Sequence, residues 1–111
     1  MFAIEYVAGI VDGEGHIGCY QSGPRKYNHL YPRIGVTNTD LSLLEQLQQQ
    51  FGGTINPKSY GKKGKPENWN QGYDWRCSGD TARNLIKELI PYLWVKKKQA
   101  IDTLFADMKL N

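Results

Sequence analysis

The sequence predicts an α+β fold in the order α-β-β-α-β-β-α-α, with a four-stranded antiparallel sheet covered by helices on one face. Three observations carry that expectation. An apolar run at 4–13 has helical spacing and is broken by Gly13 and Gly15. Three later segments, 16–22, 30–38 and 72–78, alternate apolar and polar residues with the two-residue period of strands, and 54–60 reads as a further short strand. Between them stand cap and stop residues: Thr39 or Asp40, Gly52-Gly53, Asp80 and Pro91.

The elements follow in order. After the first helix, 16–22 (HIGCYQS) alternates, with Ile17 and Cys19 on one face and Gly18, Tyr20 and Ser22 on the other. GPRKYN (23–28) reads as a turn. The segment 30–38 (LYPRIGVTN) sets Leu30, Pro32, Ile34 and Val36 against His29, Tyr31, Arg33 and Gly35, and Pro32 calls for an edge or a bulge. A helix then runs to about Phe51, with Leu41, Leu44, Leu47 and Phe51 at helical spacing. A short strand is expected over 54–60, followed by a long basic loop, GKKGKPENWNQ. In 72–78 Tyr73, Trp75 and Cys77 oppose Asp74 and Arg76. A helix capped by Asp80 carries Leu85, Ile86, Leu89 and Ile90. The last helix, about 95–109, has Ala100, Ile101, Leu104, Phe105 and Met108 as its apolar stripe.

At 111 residues the chain suits a single domain spanning 1–111. Fourteen Lys and Arg against eleven Asp and Glu give a net +3, too mild an excess to name a partner. The distribution says more. Bases gather at Arg25-Lys26, at 58–65 and at Lys96-Lys97-Lys98, clusters that suit a polyanion or simply solvated loops. Cys19 and Cys77 lack CxxC spacing, which argues against structural zinc and for reduced buried thiols. No leader-like segment or bilayer-length apolar run is visible, so an intracellular, soluble protein without a membrane partner is expected.

The outward face of the expected sheet would carry Tyr20, Ser22, His29, Tyr31, Arg33, Asn56, Lys58, Asp74 and Arg76. Polar-out alternation is normal for an antiparallel sheet facing water. The same residue types also suit phosphates and major-groove base edges.

The sharpest puzzle is VAGIVDGEG at 7–15. Gly9 and Gly13 share one helix face, each costing about 1 kcal/mol relative to Ala, and their spacing permits close approach of another backbone. Asp12 and Glu14 stand at the helix C-terminus, where the dipole disfavours carboxylates by up to about 1 kcal/mol. A Mg²⁺ ion would relieve that conflict through hard oxygen ligands. The plainer reading is that Asp12 caps a neighbouring backbone and Glu14 faces water.

These nine residues closely resemble the defining motif of the LAGLIDADG homing endonucleases. Ala8, Gly9, Asp12 and Gly15 match by identity, Val7, Ile10 and Val11 conservatively, while Gly13 replaces Ala and Glu14 the second Asp. The element order, the single copy of the motif, VTNTD (36–40) and LIPYLWVKKKQAI (89–101) extend the resemblance over essentially the whole chain. It implies a saddle-shaped sheet and a homodimer in which the motif helices meet through Ala8, Gly9, Asp12 and Gly13. It further implies Mg²⁺, with Mn²⁺ able to substitute, held by Glu14 and the Gly13 carbonyl. Glu14, Lys96 and Asn38 are then the catalytic candidates. Double-stranded DNA would be the partner, bound by the sheet residues above and by Arg25, Lys26, Lys62, Lys63, Lys65, Lys97 and Lys98. The implied activity is Mg-dependent double-strand cleavage of a long pseudo-palindromic site. The alternative is a non-cleaving relative: a maturase acting on intron RNA, or a DNA-binding regulator.

Overall fold

The computed structural model describes residues 1–22 and 29–110. Eleven residues form α1 (Ile4–Glu14), which passes directly into β1 (Gly15–Ser22). No loop separates them because Gly15 turns the chain with its N–H bonded to the Val11 carbonyl. A Cβ at Gly15 would come within 2.8 Å of Val11 Cα and 2.9 Å of the Gly35 carbonyl, so only glycine fits this corner.

β2 (His29–Asn38) returns antiparallel to β1, the pairing running from Gly15 opposite Val36 to Ser22 opposite His29. α2 (Leu41–Phe51) follows, capped by Asp40, whose carboxylate accepts from the N–H groups of Ser42 (3.1 Å) and Leu43 (3.3 Å). β3 (Thr54–Pro57) and β4 (Tyr73–Ser78) complete a four-stranded sheet in the order β1-β2-β4-β3, every neighbouring pair antiparallel. α3 (Gly79–Leu89), a 3₁₀ turn (Ile90–Tyr92) and α4 (Lys97–Leu110) follow.

The sheet alternates as its sequence demands. Ile17, Ile34, Val36, Trp75 and Cys77 point inward and form one core with Val7, Ala8 and Val11 of α1, Leu44 and Leu47 of α2, Leu85, Ile86 and Leu89 of α3 and Ala100 of α4. All four helices therefore cover one face, and the opposite face is left to polar and charged residues. Pro32 lies in a central strand yet causes no conflict. It is one residue outside the β2–β4 ladder, which begins at Arg33 opposite Ser78.

Several local expectations change. The strand expected over 54–60 ends at Pro57, where proline can no longer donate to a ladder. Asp80 is not the cap of α3. Ser78 occupies that position, and Asp80 sits in the first turn, ion-paired with Arg83. α4 starts at Lys97 and is rotated from its expected stripe: Ala100, Thr103 and Asp107 are buried, whereas Phe105 is 63% and Met108 73% exposed. The rotation has a polar cause. Arg83 of α3 donates from Nε and Nη2 to the two oxygens of Asp107 (2.5 and 2.9 Å), and the Cys19 thiol donates to the Thr103 carbonyl at 3.3 Å.

Candidate active site and nucleic-acid interface

The two motif acids part company at the end of α1. Asp12 faces the segment before α4, where its carboxylate accepts from the N–H groups of Trp94 (2.7 Å) and Lys96 (3.0 Å). Lys96 in turn donates from Nζ to the Asp12 carbonyl (2.8 Å), and its own carbonyl accepts the first α4 bond, from Ala100. The electrostatic conflict at this acid is thereby resolved. Asp12 serves as an anion at the start of α4, and Lys96 places a cation on the C-terminal carbonyls of α1. Partial burial pushes the Asp12 pKa up, but the backbone donors at Lys96, Trp94 and Val95 outweigh it and leave the carboxyl below its ordinary value. Asp12 thus caps a neighbouring backbone, the plainer of the two roles expected for it; its oxygens are used inside the chain rather than at the helix–helix interface that the resemblance implied.

Glu14 is exposed and meets Asn38 at the end of β2, whose Nδ2 donates to its Oε2. Asn38 is itself oriented, because its Oδ1 accepts from the Asp40 N–H at 2.8 Å. That bond fixes which end of the amide turns to the carboxylate. The structure thus brings Glu14 and Asn38 into direct contact, with Lys96 anchored two residues back on the same helix end.

Gly9 and Gly13 look into open space, since a Cβ added at either meets nothing within 4 Å. With Tyr6, Ile10, Glu14 and Asn38 they line a groove of about 510 Å³ on the exposed side of α1. Among the described residues, none approaches the place a side chain would take at these helical glycines. Ala8 does not belong to this surface. One residue around the helix is about 100° of rotation, and Ala8 is fully buried in the chain's own core. Tyr6, 54% exposed, and Ile10 take its place in the groove; their spacing to Gly9 and Gly13 was the signal that sequence reading passed over.

Among the described residues, no three His, Cys, Asp or Glu side chains gather as a metal centre. The donors at the end of α1 are nonetheless of the right kind for Mg²⁺. An exposed carboxylate stands beside the last carbonyls of a helix, Gly13's included, and all are hard oxygens. They fit such an ion in chemistry, since Mg²⁺ is ordinarily held by one or two carboxylates and completes its shell with water.

The outward sheet face brings together Tyr20, Tyr31, Arg33, Asn56, Asp74 and Arg76 through the pairs Tyr20–Tyr31, Asn56–Asp74 and Gly35–Arg76. Its two arginines differ. Arg33 lies over the rings of Tyr20 (4.1 Å to the centroid) and Tyr31 (5.5 Å) and donates to the Tyr31 hydroxyl at 2.8 Å. Arg76 is half-exposed, 3.9 Å from Asp74, which also accepts from the Thr37 hydroxyl. Of the two roles open to Asp74, orienting Arg76 is the one this geometry supplies.

His16 joins the same face, seated on Gly35, where a Cβ would approach its ring within 2.5 Å. Partial burial, with Arg76 and Arg33 nearby, lowers its pKa and favours the neutral imidazole. From sequence His16, which follows the motif, reads as a surface strand residue that could also contact DNA; Thr37 was legible from the alternation without being marked as a contact.

The remaining bases divide by position. Lys58 follows β3, Lys62 and Lys63 are exposed in the loop beyond it, and Lys97 is exposed at the start of α4. Lys98 pairs with Asp102 at 3.1 Å on the α4 surface. Lys65, expected to grip phosphate, instead staples its own loop by donating to the carbonyls of Pro66 (3.2 Å) and Trp69 (2.5 Å). Ser22 and His29 close the β1–β2 ladder, while Arg25 and Lys26 lie outside the described residues.

A family model described as the LAGLIDADG-like domain matches residues 1–89. Among curated proteins no sequence matches at a significant level. Solved structures do match in fold. The homing endonuclease I-CvuI, crystallised with its target in the presence of calcium, aligns with a TM-score of 0.73 at 22% identity, covering 96% of this chain and 66% of that one. The archaeal intron-encoded homing endonuclease I-Vdi141I, complexed with DNA, gives 0.72 at 18% identity, covering 96% and 67%. The LAGLIDADG homing endonuclease I-SmaMI, bound to cleaved DNA, gives 0.69 at 17%, covering 96% and 36%. At these identities the likeness is one of fold, and the chain spans 66% of the length of I-CvuI.

Proposed function

The chain belongs to the LAGLIDADG family, and from that premise we propose that it is a site-specific, metal-dependent DNA endonuclease acting as a homodimer on a long, roughly palindromic duplex. The observation that carries the proposal is the end of α1. There an exposed carboxylate, Glu14, is held by an oriented amide, Asn38, on the rim of a polar sheet face bearing arginines and tyrosines.

In this reading two α1 helices meet along Gly9 and Gly13, whose open faces let the backbones close on one another. Two Glu14 carboxylates would then converge and would be the residues to hold divalent ions, with the Gly13 carbonyls as further candidate ligands. A bound Mg²⁺ supplies Lewis-acid stabilisation of charge at the phosphate undergoing in-line displacement by water. Asn38 keeps the Glu14 carboxylate aimed and positions solvent, since an amide is no base. Lys96 spends one N–H on the Asp12 carbonyl and keeps two for the phosphate or its water. Arg76, braced by Asp74, is the foremost base reader, and guanine is the partner its fork fits. Arg33 reads only after leaving its tyrosines. Lys58, Lys62, Lys63 and Lys97 contact phosphates and position the duplex.

The test is selection from a library of randomised duplexes with Mg²⁺ present. The expected outcome is a recurring two-fold-related site cut on both strands, bound with an affinity that falls steeply as salt rises. Tight binding of a selected site without cutting in Mg²⁺ or Mn²⁺ would assign the chain to the non-cleaving relatives. Salt-independent binding, or none, would remove nucleic acid from the account.

A further inference from the structure

The loop joining β3 to β4 is long and basic, yet it is held in a set shape. The Lys58 N–H donates to the Gly72 carbonyl (2.9 Å), and the Gly72 N–H donates to the Tyr60 hydroxyl (2.9 Å). The Gln71 amide reaches the carbonyls of Lys58 (3.2 Å) and Gly72 (2.7 Å), and Lys65 closes the far end on Pro66 and Trp69. Between this loop and the end of β2 lies a cavity of about 400 Å³ whose walls include Thr37, Asn38, Lys58, Tyr60, Trp69 and Asn70.

Its chemistry is specific. Trp69 is 56% exposed, an expensive position for an indole, and meets Tyr60 edge to face with centroids 6.2 Å apart. Rings so arranged are not stacked on one another and leave an aromatic face for a flat ligand. The Lys58 ammonium stands 5.5 Å from the Tyr60 centroid, adding a cation to the cavity. Asn70, Asn38 and Thr37 supply amide and hydroxyl groups for a polar edge. An isolated anion has no use for two aromatic rings, and an apolar side chain has none for a lysine and two asparagines. A ligand that is flat, polar-edged and attached to a phosphate chain uses all of them.

We propose that this cavity binds an unstacked nucleobase of the DNA strand passing Glu14. The link to the site is Asn38, which is at once a wall of the cavity and the donor that holds the Glu14 carboxylate. An occupied cavity would fix the strand directly beside the reacting phosphate, so Trp69 becomes a positioning and specificity-determining residue. The inference rests on the endonuclease reading and extends it to a site outside the sheet face.

The test compares two single strands of equal charge, an oligothymidylate of about 12 nucleotides, within the usual single-strand site size, and its fully abasic counterpart. Each is bound to the complete chain and followed by fluorescence anisotropy. Wild type should bind the base-bearing strand roughly 10-fold more tightly, the scale of one stacked base. Trp69→Ala should erase that advantage and Trp69→Phe keep most of it. Equal affinity of wild type for the two strands, or an advantage that persists in Trp69→Ala, overturns the inference alone. Absence of salt-sensitive binding to any DNA by wild type overturns the endonuclease reading as well.

Discussion

At the end of α1, one glycine separates two carboxylates with different surroundings. Asp12 accepts two backbone N–H bonds from the segment that begins α4, whereas Glu14 is exposed and answered by the Asn38 amide. Replacing Asp12 by Asn keeps the shape and removes the charge, so it should cost about 1–3 kcal/mol. Because the folded-state pKa of Asp12 is depressed, its contribution is complete above the unfolded value of about 4 and is lost as pH falls through the lower folded value. Urea titrations of the two proteins should therefore differ at pH 7, and the gap should begin to narrow only as pH falls below about 4. A gap that persists undiminished at acid pH would contradict the assigned role. Cys77 makes the opposite point, since burial raises its thiol to about 11. It should resist alkylation in the folded protein and react on unfolding.

At the scale of elements, helices and strands were legible wherever the local pattern and the tertiary packing agree. The alternation in 16–22, 30–38 and 72–78 survives intact because one face of each strand is buried by the same helices. It failed for α4, where a period count cannot see a partner 24 residues away. The Arg83–Asp107 pair turns the helix so that Thr103 and Asp107 are inside and Phe105 is outside. Arg83→Met should cost about 2–3 kcal/mol by stripping a buried carboxylate of its strongest donor, and amide exchange should rise first in α4. Equal protection of α4 in both proteins would refute the anchoring. On α1, Gly9 decides between two demands. Gly9→Ala should raise the helix's own stability by up to about 1 kcal/mol, since none of the described residues opposes a Cβ there. Gly9→Leu should abolish self-association in sedimentation. A Gly9→Leu protein as dimeric as wild type would exclude this face as the interface.

Across the whole molecule, the elements converge on one margin. β1 begins and β2 ends beside Glu14, β4 begins opposite the end of β2, and the 58–72 loop stands over the same edge. Sequence reading reached the acids, the amide and the polar face because each is a local pattern: a nine-residue string, a strand end, an alternation. It missed the Trp69 cavity, which assembles residues from a loop and a distant strand. It also misplaced Ala8, whose burial depends on how α1 packs against β2 and α3 rather than on the motif. The central claim is that Glu14 carries cleavage while the sheet face carries binding. The most direct measurement is the rate of double-strand cleavage of a selected site in Mg²⁺ by wild type and by Glu14→Gln, with affinity measured on the same duplex. The account predicts unchanged affinity within a few-fold and a cleavage rate lower by roughly 10³, about 4 kcal/mol of barrier. A Glu14→Gln protein that cuts as fast as wild type would contradict it.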